Sequence, residues 1–244
     1  MKKKVLAIVL CVAMLAVAIV GGTMAYFTDT DAATNTMTVG SVAIDQVEQE
    51  RGENGALQSF NQNKPVVPAV YGNGTGKLSW GEAITVGGGS QKVFADDIAN
   101  VIDKFVFVQN TGKSDAYVRT IIAIEAPGFD AKDLIHVNVN DSVGVTMSAW
   151  TPVTIGGVEY VYAVFTYTEA LEPAAMTPVS LAQVFLDPAT TNEDVAAYGA
   201  EWTILALSQA VQADGIDDAA TALDVAFEEA TATNVAGWFL AANN

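Results

Sequence analysis

Residues 21–45 constrain this chain more than any other stretch, because they join the end of an apolar run to a segment in which apolar and polar residues alternate. Alternation with a period of two is typical of a strand. Residues 34–46 are therefore predicted to form the first strand, with Gly40 at the point where the alternation changes phase. The preceding residues 28–33 are polar and are expected to be mobile in a free subunit, and residues 48–55, rich in charge and glycine, are expected to form a loop.

The chain begins as an export signal does. Three lysines precede an apolar run over residues 5–20, and two glycines then interrupt it. We predict a signal peptide over residues 1–25. The residues around the predicted cleavage position are Thr23, Met24, Ala25 and Tyr26. Because residues 5–27 carry no charge and are long enough for about one membrane span, an uncleaved anchor is the alternative interpretation.

The same region carries a recognisable motif. Its residues are Gly21, Gly22, Thr23, Ala25, Tyr26, Phe27 and Asp29. This pattern resembles the signal-peptide end of the TasA/camelysin family of secreted Gram-positive proteins, and the phrase NTGKSDAYVR resembles the central hairpin of that family. The resemblance implies export through a SipW-type signal peptidase, a jelly-roll sandwich, and subunits of extracellular biofilm matrix fibres, with an accessory matrix protein as a candidate partner. Camelysin is described as a metalloprotease, so the resemblance raises that activity as well.

Charge and cysteine content exclude several classes of function. The formal net charge is −17, and removal of the three lysines in the leader brings it to −20. A surface this acidic repels phosphate backbones and anionic lipid, which argues against a nucleic-acid or peripheral membrane partner. The single cysteine, Cys11, lies in the leader. The exported chain is therefore expected to have no disulfide and no thiolate metal ligand.

The pattern after residue 46 predicts a mainly β domain, since short alternating segments are separated by turn residues. The clearest strands are residues 104–110 and 116–126, and residues 151–155 and 158–168, which flank a Gly-Gly turn. We predict an antiparallel β-sandwich, jelly-roll-like with Greek-key connections and one or two short helices. The predicted organisation is a signal helix over residues 1–25, an N-terminal arm over 26–46 and a single sandwich domain over 47–244.

Helical signals are few. Residues 93–101 combine helical spacing with alternation and are predicted to form a short helix that passes into a strand. Residues 217–229 form the one convincing helix, with small and apolar residues on one stripe. Residues 235–244 are an apolar tail that is expected to need cover from the sheet.

The residues offer little for catalysis or for a cofactor. His136 is the only histidine and lies in a strand pattern, without an H-E-x-x-H or G-x-S-x-G motif. Arg119 is expected to pair with a nearby carboxylate. Three acidic groups lack the spacing of a calcium loop and are interpreted as solvated surface. They are Asp29 and Asp31, Asp96 and Asp97, and Asp214, Asp217 and Asp218. We predict no enzyme activity, no metal and no cofactor.

Assembly is the predicted function. Cleavage would free a strand-forming arm, and an arm that completes the sheet of the next copy would build a head-to-tail filament. The side chains predicted to insert are Phe27, Met37, Val39, Val42 and Ile44. Pairing of the first strand within its own chain is the equally weighted alternative. A surface-anchored, adhesin-like binding module is the alternative from another functional class.

Overall fold

The computed structural model describes residues 28–32, 42–61, 64, 67–72, 74, 76–129, 135–140, 142–191, 193–194 and 202–242. Its strands are β1 (Thr28–Ala32), β2 (Ile44–Arg51), β3 (Leu57–Ser59), β4 (Val70–Tyr71), β5 (Trp80–Val86), β6 (Gly89–Phe94), β7 (Ile98–Ala99), β8 (Ile102–Asn110), β9 (Ala116–Glu125), β10 (Ile135–Val139), β11 (Val145–Met147), β12 (Thr151–Ile155), β13 (Val158–Tyr167), β14 (Leu181–Leu186) and β15 (Ile204–Gln212). Its helices are α1 (Ala219–Phe227) and α2 (Ala232–Ala242), and a short 3-10 helix spans Pro127–Phe129.

Most strands belong to two antiparallel sheets. Sheet A has the order β1-β15-β9-β13-β11, with β12 also paired to β13, and sheet B has the order β10-β14-β8-β2-β3. Two smaller antiparallel pairs, β4 with β7 and β5 with β6, lie outside these sheets. The predicted mainly antiparallel β-sandwich is confirmed.

The core lies between the sheets because each central strand points alternate side chains inward. Ile122 and Phe165 of sheet A meet Val106 and Leu181 of sheet B in one cluster. A second cluster, formed around Val118 and Val108, fills the other end of the interface. Full burial of one such side chain contributes about 1.5–3 kcal/mol. These two clusters therefore hold the sheets face to face.

Both sheets are also covered on their outer faces. Residues of β9 and β13 that point away from the core, such as Ile121 and Tyr162, pack against Val235 and Phe239 of α2. Near the other end of β9, Tyr117 packs against Leu223 of α1 in a further cluster. On sheet B, Phe105 and Phe107 lie under Val86 and Val93 of the β5–β6 hairpin. This layering explains why β13 carries apolar residues on both of its faces.

The segment at residues 93–101 does not contain the predicted helix. β6 ends at Phe94, and Ile98 begins the two-residue β7. The amide of Ile98 donates to the carbonyl of Ala95 at 3.1 Å, which closes a turn between the two strands. This turn brings Phe94 and Ile98 into one buried cluster. Phe94 and Ile98 are four positions apart, as on one face of a helix, but here a tight turn between two strands brings them together.

The N-terminal strands also differ from the prediction. Residues 28–32, expected to be mobile, form β1 at the edge of sheet A. The strand predicted over residues 34–46 is described from residue 42 onward, and β2 continues to Arg51 where a loop was expected. Glu48 and Glu50 made that segment look like a loop, yet both carboxylates are paired with lysines, which allows them to lie in a strand.

Two helices follow β15. α1 confirms the predicted helix, and the Asp218 carboxylate caps it by accepting from the amide of Thr221 at 2.7 Å. The predicted apolar tail forms α2, and sheet A provides the cover that the tail was expected to need, since Val235 and Phe239 pack against it. Neither helix is long and apolar enough to cross a membrane, a statement that applies to the described residues alone.

Candidate assembly site

β1 occupies the outer edge of sheet A. It pairs antiparallel with β15, in a register that runs from Thr28 opposite Val211 to Ala32 opposite Leu207. The bonds of such a ladder join main-chain groups and depend little on which side chains are present. Among the described strands β1 is therefore hydrogen-bonded to β15 alone, and it also lies near β2 and α2.

The other sheet edges are short or irregular. At the opposite edge of sheet A, the partner of β13 is broken into β11 and β12, and β12 carries Pro152, which cannot donate to a ladder. In sheet B, β3 has three residues, and β10 contains a register shift at Asn138/Val139. β15 is long and regularly paired, and β1 covers its outer edge. The β15 edge is therefore the best formed acceptor for a strand among the described edges.

Val42 and Ile44 lie inside their own chain. Both are fully buried and pack in the cluster that contains Val108 and Val118. Ile44 is opposite Asn110 in the β2–β8 ladder. Both residues therefore lie in the core of their own chain, and their predicted insertion into a neighbouring copy stays a prediction.

A polar contact joins the two sheets next to the arm. Thr120 Oγ1 and Ser208 Oγ are 3.0 Å apart, and Ser208 donates to Gln46 Oε1 at 2.8 Å. Gln46 Nε2 in turn donates to the carbonyl of Ala206. Thr120 and Ser208 are fully buried. These hydrogen bonds link β2 of sheet B to β9 and β15 of sheet A, and they favour the alignment in which the buried hydroxyls have partners.

The turn between β8 and β9 is built around a fully buried Asn110. Its side-chain amide donates to the carbonyls of Ser114 and Leu171 at 2.9 and 2.8 Å, and its Oδ1 accepts from the amide of Gly112 at 2.9 Å. This asparagine therefore closes the turn and ties it to the segment after β13. The predicted strands at residues 104–110 and 116–126 and the turn between them are confirmed. The hairpin that the family resemblance implied is wrong, because β8 pairs within sheet B and β9 within sheet A, so the turn carries the chain from one sheet to the other.

Arg119 connects sheet A to both helices. It is 2% exposed, and its Nη1 lies 2.7 Å from Asp224 Oδ1 of α1. The guanidinium also donates to Gln209 Oε1 at 2.7 Å and to the carbonyl of Glu228 at 2.9 Å. Its central carbon lies 5.0 Å from the ring centre of Trp238 in α2. Burial lowers the pKa of Arg119, and Asp224 counteracts that effect. The predicted pairing of Arg119 with a carboxylate is confirmed.

His136 lies in β10, and its Nε2 is 2.8 Å from Asp187 Oδ2. The Asp187 carboxylate also accepts from the amide of Ala189 at 2.8 Å. The amide of Ala189 and then His136 lower the pKa of Asp187. No group of three or more histidine, cysteine or acidic side chains gathers anywhere among the described residues. A zinc site built from nitrogen and sulfur ligands does not fit a chain whose only histidine is paired in this way.

The fold and the pairing of β1 with β15 define a class of protein: an antiparallel β-sandwich with an N-terminal strand on the edge of one sheet. A comparison with protein families narrows the class, because the model of the camelysin metallo-endopeptidase family matches residues 1–50. Over those residues the chain is similar to that family, which confirms the TasA/camelysin resemblance predicted from the Gly-Gly-Thr motif. No curated protein and no solved structure matches the chain.

The predicted site residues divide into two groups. The cleavage residues Thr23, Met24, Ala25 and Tyr26, and the arm residues Phe27, Met37 and Val39, lie outside the described residues. Val42 and Ile44 are described and buried. Sequence reasoning missed β15 as the strand beside the arm, and nothing local in residues 204–212 indicates an edge. It also missed Gln46, whose polar side chain in an alternating strand was the available signal.

Proposed function

We propose that this protein is a secreted structural subunit of extracellular matrix fibres, in which β1 of one copy pairs with β15 of the next. Export would remove residues 1–25 through a SipW-type signal peptidase. The strand would then leave the edge of its own sheet A and add to the same edge of a neighbour. Head-to-tail exchange of this kind does not close on itself, so the product is a filament.

The observation that carries this proposal is the position of β1 on the edge of β15. An intermolecular strand in the same register would reproduce every ladder bond that the intramolecular strand makes. The exchange therefore costs no hydrogen bond, and mass action decides its extent. In this proposal the exchanged segment ends before residue 42, because Val42 and Ile44 are buried in the core of their own chain.

A cysteine pair across the ladder tests the proposal. Asp29 and Ala210 are opposite each other, and directly opposite positions in an antiparallel pair have Cα atoms within the range that a disulfide bridges. Without the leader the chain has no other cysteine. For an Asp29→Cys/Ala210→Cys variant, oxidation of dilute protein should give disulfide-bonded monomers. Oxidation of assembled protein should give a ladder of covalent multimers on a non-reducing gel.

The Asp29→Cys single variant is the matched control and should give no species above a dimer. Assembled material that yields only intrachain disulfides would show that the first strand stays in its own chain. Deletion of residues 26–35 provides a second test, because it removes β1 and should abolish filaments in electron micrographs. Filaments of unchanged yield from that deletion would contradict the exchange.

The name of the matching family favours a second candidate, a camelysin-like metallo-endopeptidase. Incubation of the purified protein with casein, with and without a chelator, tests it directly. Under the fibre proposal we expect no cleavage that the chelator suppresses. If such cleavage occurs, His136→Ala distinguishes a histidine-dependent site from a contaminating protease, since only the former loses activity.

A further inference from the structure

Asn54 and Gly55 lie in the turn that joins β2 to β3. The amide of Gly55 donates to the carbonyl of Gly52 at 2.9 Å, and the amide of Gly52 donates to the carbonyl of Ala56 at 2.8 Å. Gly55 has a φ of 78°, a conformation that glycine adopts readily and that closes this turn. Asn54 and Gly55 are both exposed. The turn therefore presents an asparagine–glycine pair to the solvent.

An asparagine–glycine pair can lose ammonia without an enzyme, because the reacting groups are already joined in one chain. The main-chain nitrogen of the glycine gives up its proton and attacks the side-chain carbonyl carbon Cγ of the asparagine. The new N–C bond closes a succinimide ring, and the C–N bond of the side-chain amide breaks as its nitrogen takes up a proton and leaves as ammonia. Water then adds to either carbonyl carbon and opens the ring, which gives aspartate or isoaspartate.

The side chain of Asn54 makes a contact that favours this attack. Its Oδ1 accepts from the amide of Ala56 at 3.0 Å. A hydrogen bond to that oxygen polarises the carbonyl and stabilises the negative charge that the oxygen acquires as nitrogen adds to Cγ. An added Cβ at Gly55 would meet no atom within 4 Å. Among the described residues, the space around the attacking nitrogen is therefore open.

The hydrogen bond from Gly55 to Gly52 has to open before the nitrogen attacks. This opening is local, because β3 has three residues, all exposed, and pairs with β2 alone among the described strands. Short exposed elements open with free energies far below that of global unfolding. The contact between Asn54 and Ala56 joins residues two positions apart and does not require the β2–β3 pairing. The turn therefore reaches a reactive form while the sandwich stays folded.

We propose that the turn at Asn54 and Gly55 is a site of spontaneous deamidation, at which the folded protein converts Asn54 to aspartate and isoaspartate with water as the only co-reactant. Asn110 provides the contrast within the same chain. It is fully buried, its side-chain amide donates to two carbonyls, and the β-branched Thr111 follows it. The proposed reaction is therefore selective for the exposed turn, and it does not depend on whether the protein assembles.

The isoaspartate product changes the turn more than the aspartate product does. Isoaspartate carries the main chain through the former side chain and so adds a carbon atom between the two strands. The added carbon misaligns the hydrogen bonds that join Gly52 to Gly55 and Ala56. β3 covers the outer edge of β2, and its Gln58 donates to Glu50 at 3.0 Å. Isoaspartate therefore loosens β3 and uncovers that edge of sheet B.

Ageing of the folded protein tests the site. The chain without its leader is incubated at mildly alkaline pH, and tandem mass spectrometry distinguishes Asn54 from Asn73, which also precedes a glycine. The deamidated fraction at Asn54 should exceed that at Asn110 more than about tenfold, because Asn110 reacts only after buried hydrogen bonds break. Asn54→Gln keeps the amide but requires a larger ring, so it should show no deamidation at this position. If Asn54 in the wild type stays as intact as Asn110, the proposal is overturned.

Limited digestion with trypsin tests the loosening of β3, because the bond after Arg51 lies at the end of β2. Aged wild type should be cut there several-fold faster than fresh wild type. Freshly prepared Asn54→Asp is the matched control, since it carries the charge of the product without the added carbon, and it should be cut as fresh wild type is. Aged Asn54→Gln should also be cut at that rate, which controls for reactions elsewhere in the chain. Equal cleavage of aged wild type and fresh Asn54→Asp would overturn the effect on β3.

Discussion

At the scale of single residues, the Arg119–Asp224 pair gives a sharp stability test. Arg119 is almost fully buried, whereas the side chain of Asp224 is 44% exposed. Removal of the carboxylate leaves a buried cation without its counter-ion, which costs about 3–5 kcal/mol. We therefore expect Asp224→Ala to lower the free energy of unfolding by about 3 kcal/mol in urea titrations. Asp217→Ala, an exposed aspartate just before α1, is the control and should change it by less than about 0.5 kcal/mol.

Glu50 gives a test that depends on pH. Its carboxylate is buried, which acts to raise its pKa, but hydrogen bonds from Lys64, Gln58 and the amide of Asn61 lower the pKa below the ordinary 4.5. A lowered pKa in the folded state stabilises the protein above pH 4.5, and this contribution is lost as the pH falls through the folded-state pKa. Glu50→Gln should therefore be less stable than the wild type at pH 7.

The same variant should lose less stability than the wild type between about pH 4.5 and about pH 3. Urea unfolding at several pH values measures both effects. Glu53→Gln, a matched substitution of an exposed glutamate, should follow the wild-type curve. Parallel curves for the wild type and Glu50→Gln across the acid range would contradict the assignment.

At the scale of elements, the turn between β12 and β13 requires glycine. Gly156 and Gly157 have φ values of 59° and 87°, a region that side chains disfavour. A Cβ at Gly157 would meet no atom within 4 Å, so only the backbone opposes a side chain there. Gly157→Ala should destabilise the protein by about 1–2 kcal/mol in urea unfolding.

Gly237 provides a control in which the same substitution should stabilise the protein. Gly237 lies within α2, and an added Cβ also meets nothing within 4 Å. Alanine favours the helical conformation, so Gly237→Ala should raise stability by about 0.5–1 kcal/mol. Equal effects of the two substitutions would contradict the turn geometry.

The elements predicted correctly from the sequence are those whose pattern is local. β8, β9, β12 and β13 follow from alternation bounded by turn residues, and α1 follows from an acidic cap and an apolar stripe. α2 was missed because Gly237 and several β-branched residues weaken its helical signal, although Thr231 caps it and Val235 and Phe239 are spaced as on one helix face. The pairing of β1 with β15 joins residues that are distant in sequence, and no local pattern encodes it.

The candidate site was predictable to the same extent. The alternation of residues 34–46 predicts an N-terminal strand, but the strand on the edge of sheet A is β1, whose polar residues 28–32 were expected to be mobile. The acceptor strand does not follow, because it depends on the order of strands in sheet A. Gln46 and Ser208 become partners only after both sheets have formed, so their contact is a property of the tertiary structure.

At the scale of the whole molecule, long-range repulsion and short-range attraction would oppose each other in the proposed assembly. The negative net charge repels neighbouring copies over distances that salt can shorten, from a Debye length of about 30 Å at about 0.01 M to about 8 Å at about 0.15 M. Contacts between opposed side chains act over a few ångströms and are screened less. Assembly of the wild type should therefore accelerate as salt rises through this range.

Salt tests the effect of net repulsion better than acid does. Acid also removes, below pH 4.5, the stabilisation that the Glu50 carboxylate provides. Light scattering at fixed protein concentration and neutral pH measures the rate. The more acidic Lys77→Glu/Lys92→Glu variant should accelerate more steeply with salt than the wild type, since it carries more repulsion to screen. A wild-type rate that falls as salt rises would contradict net repulsion as the force that limits assembly.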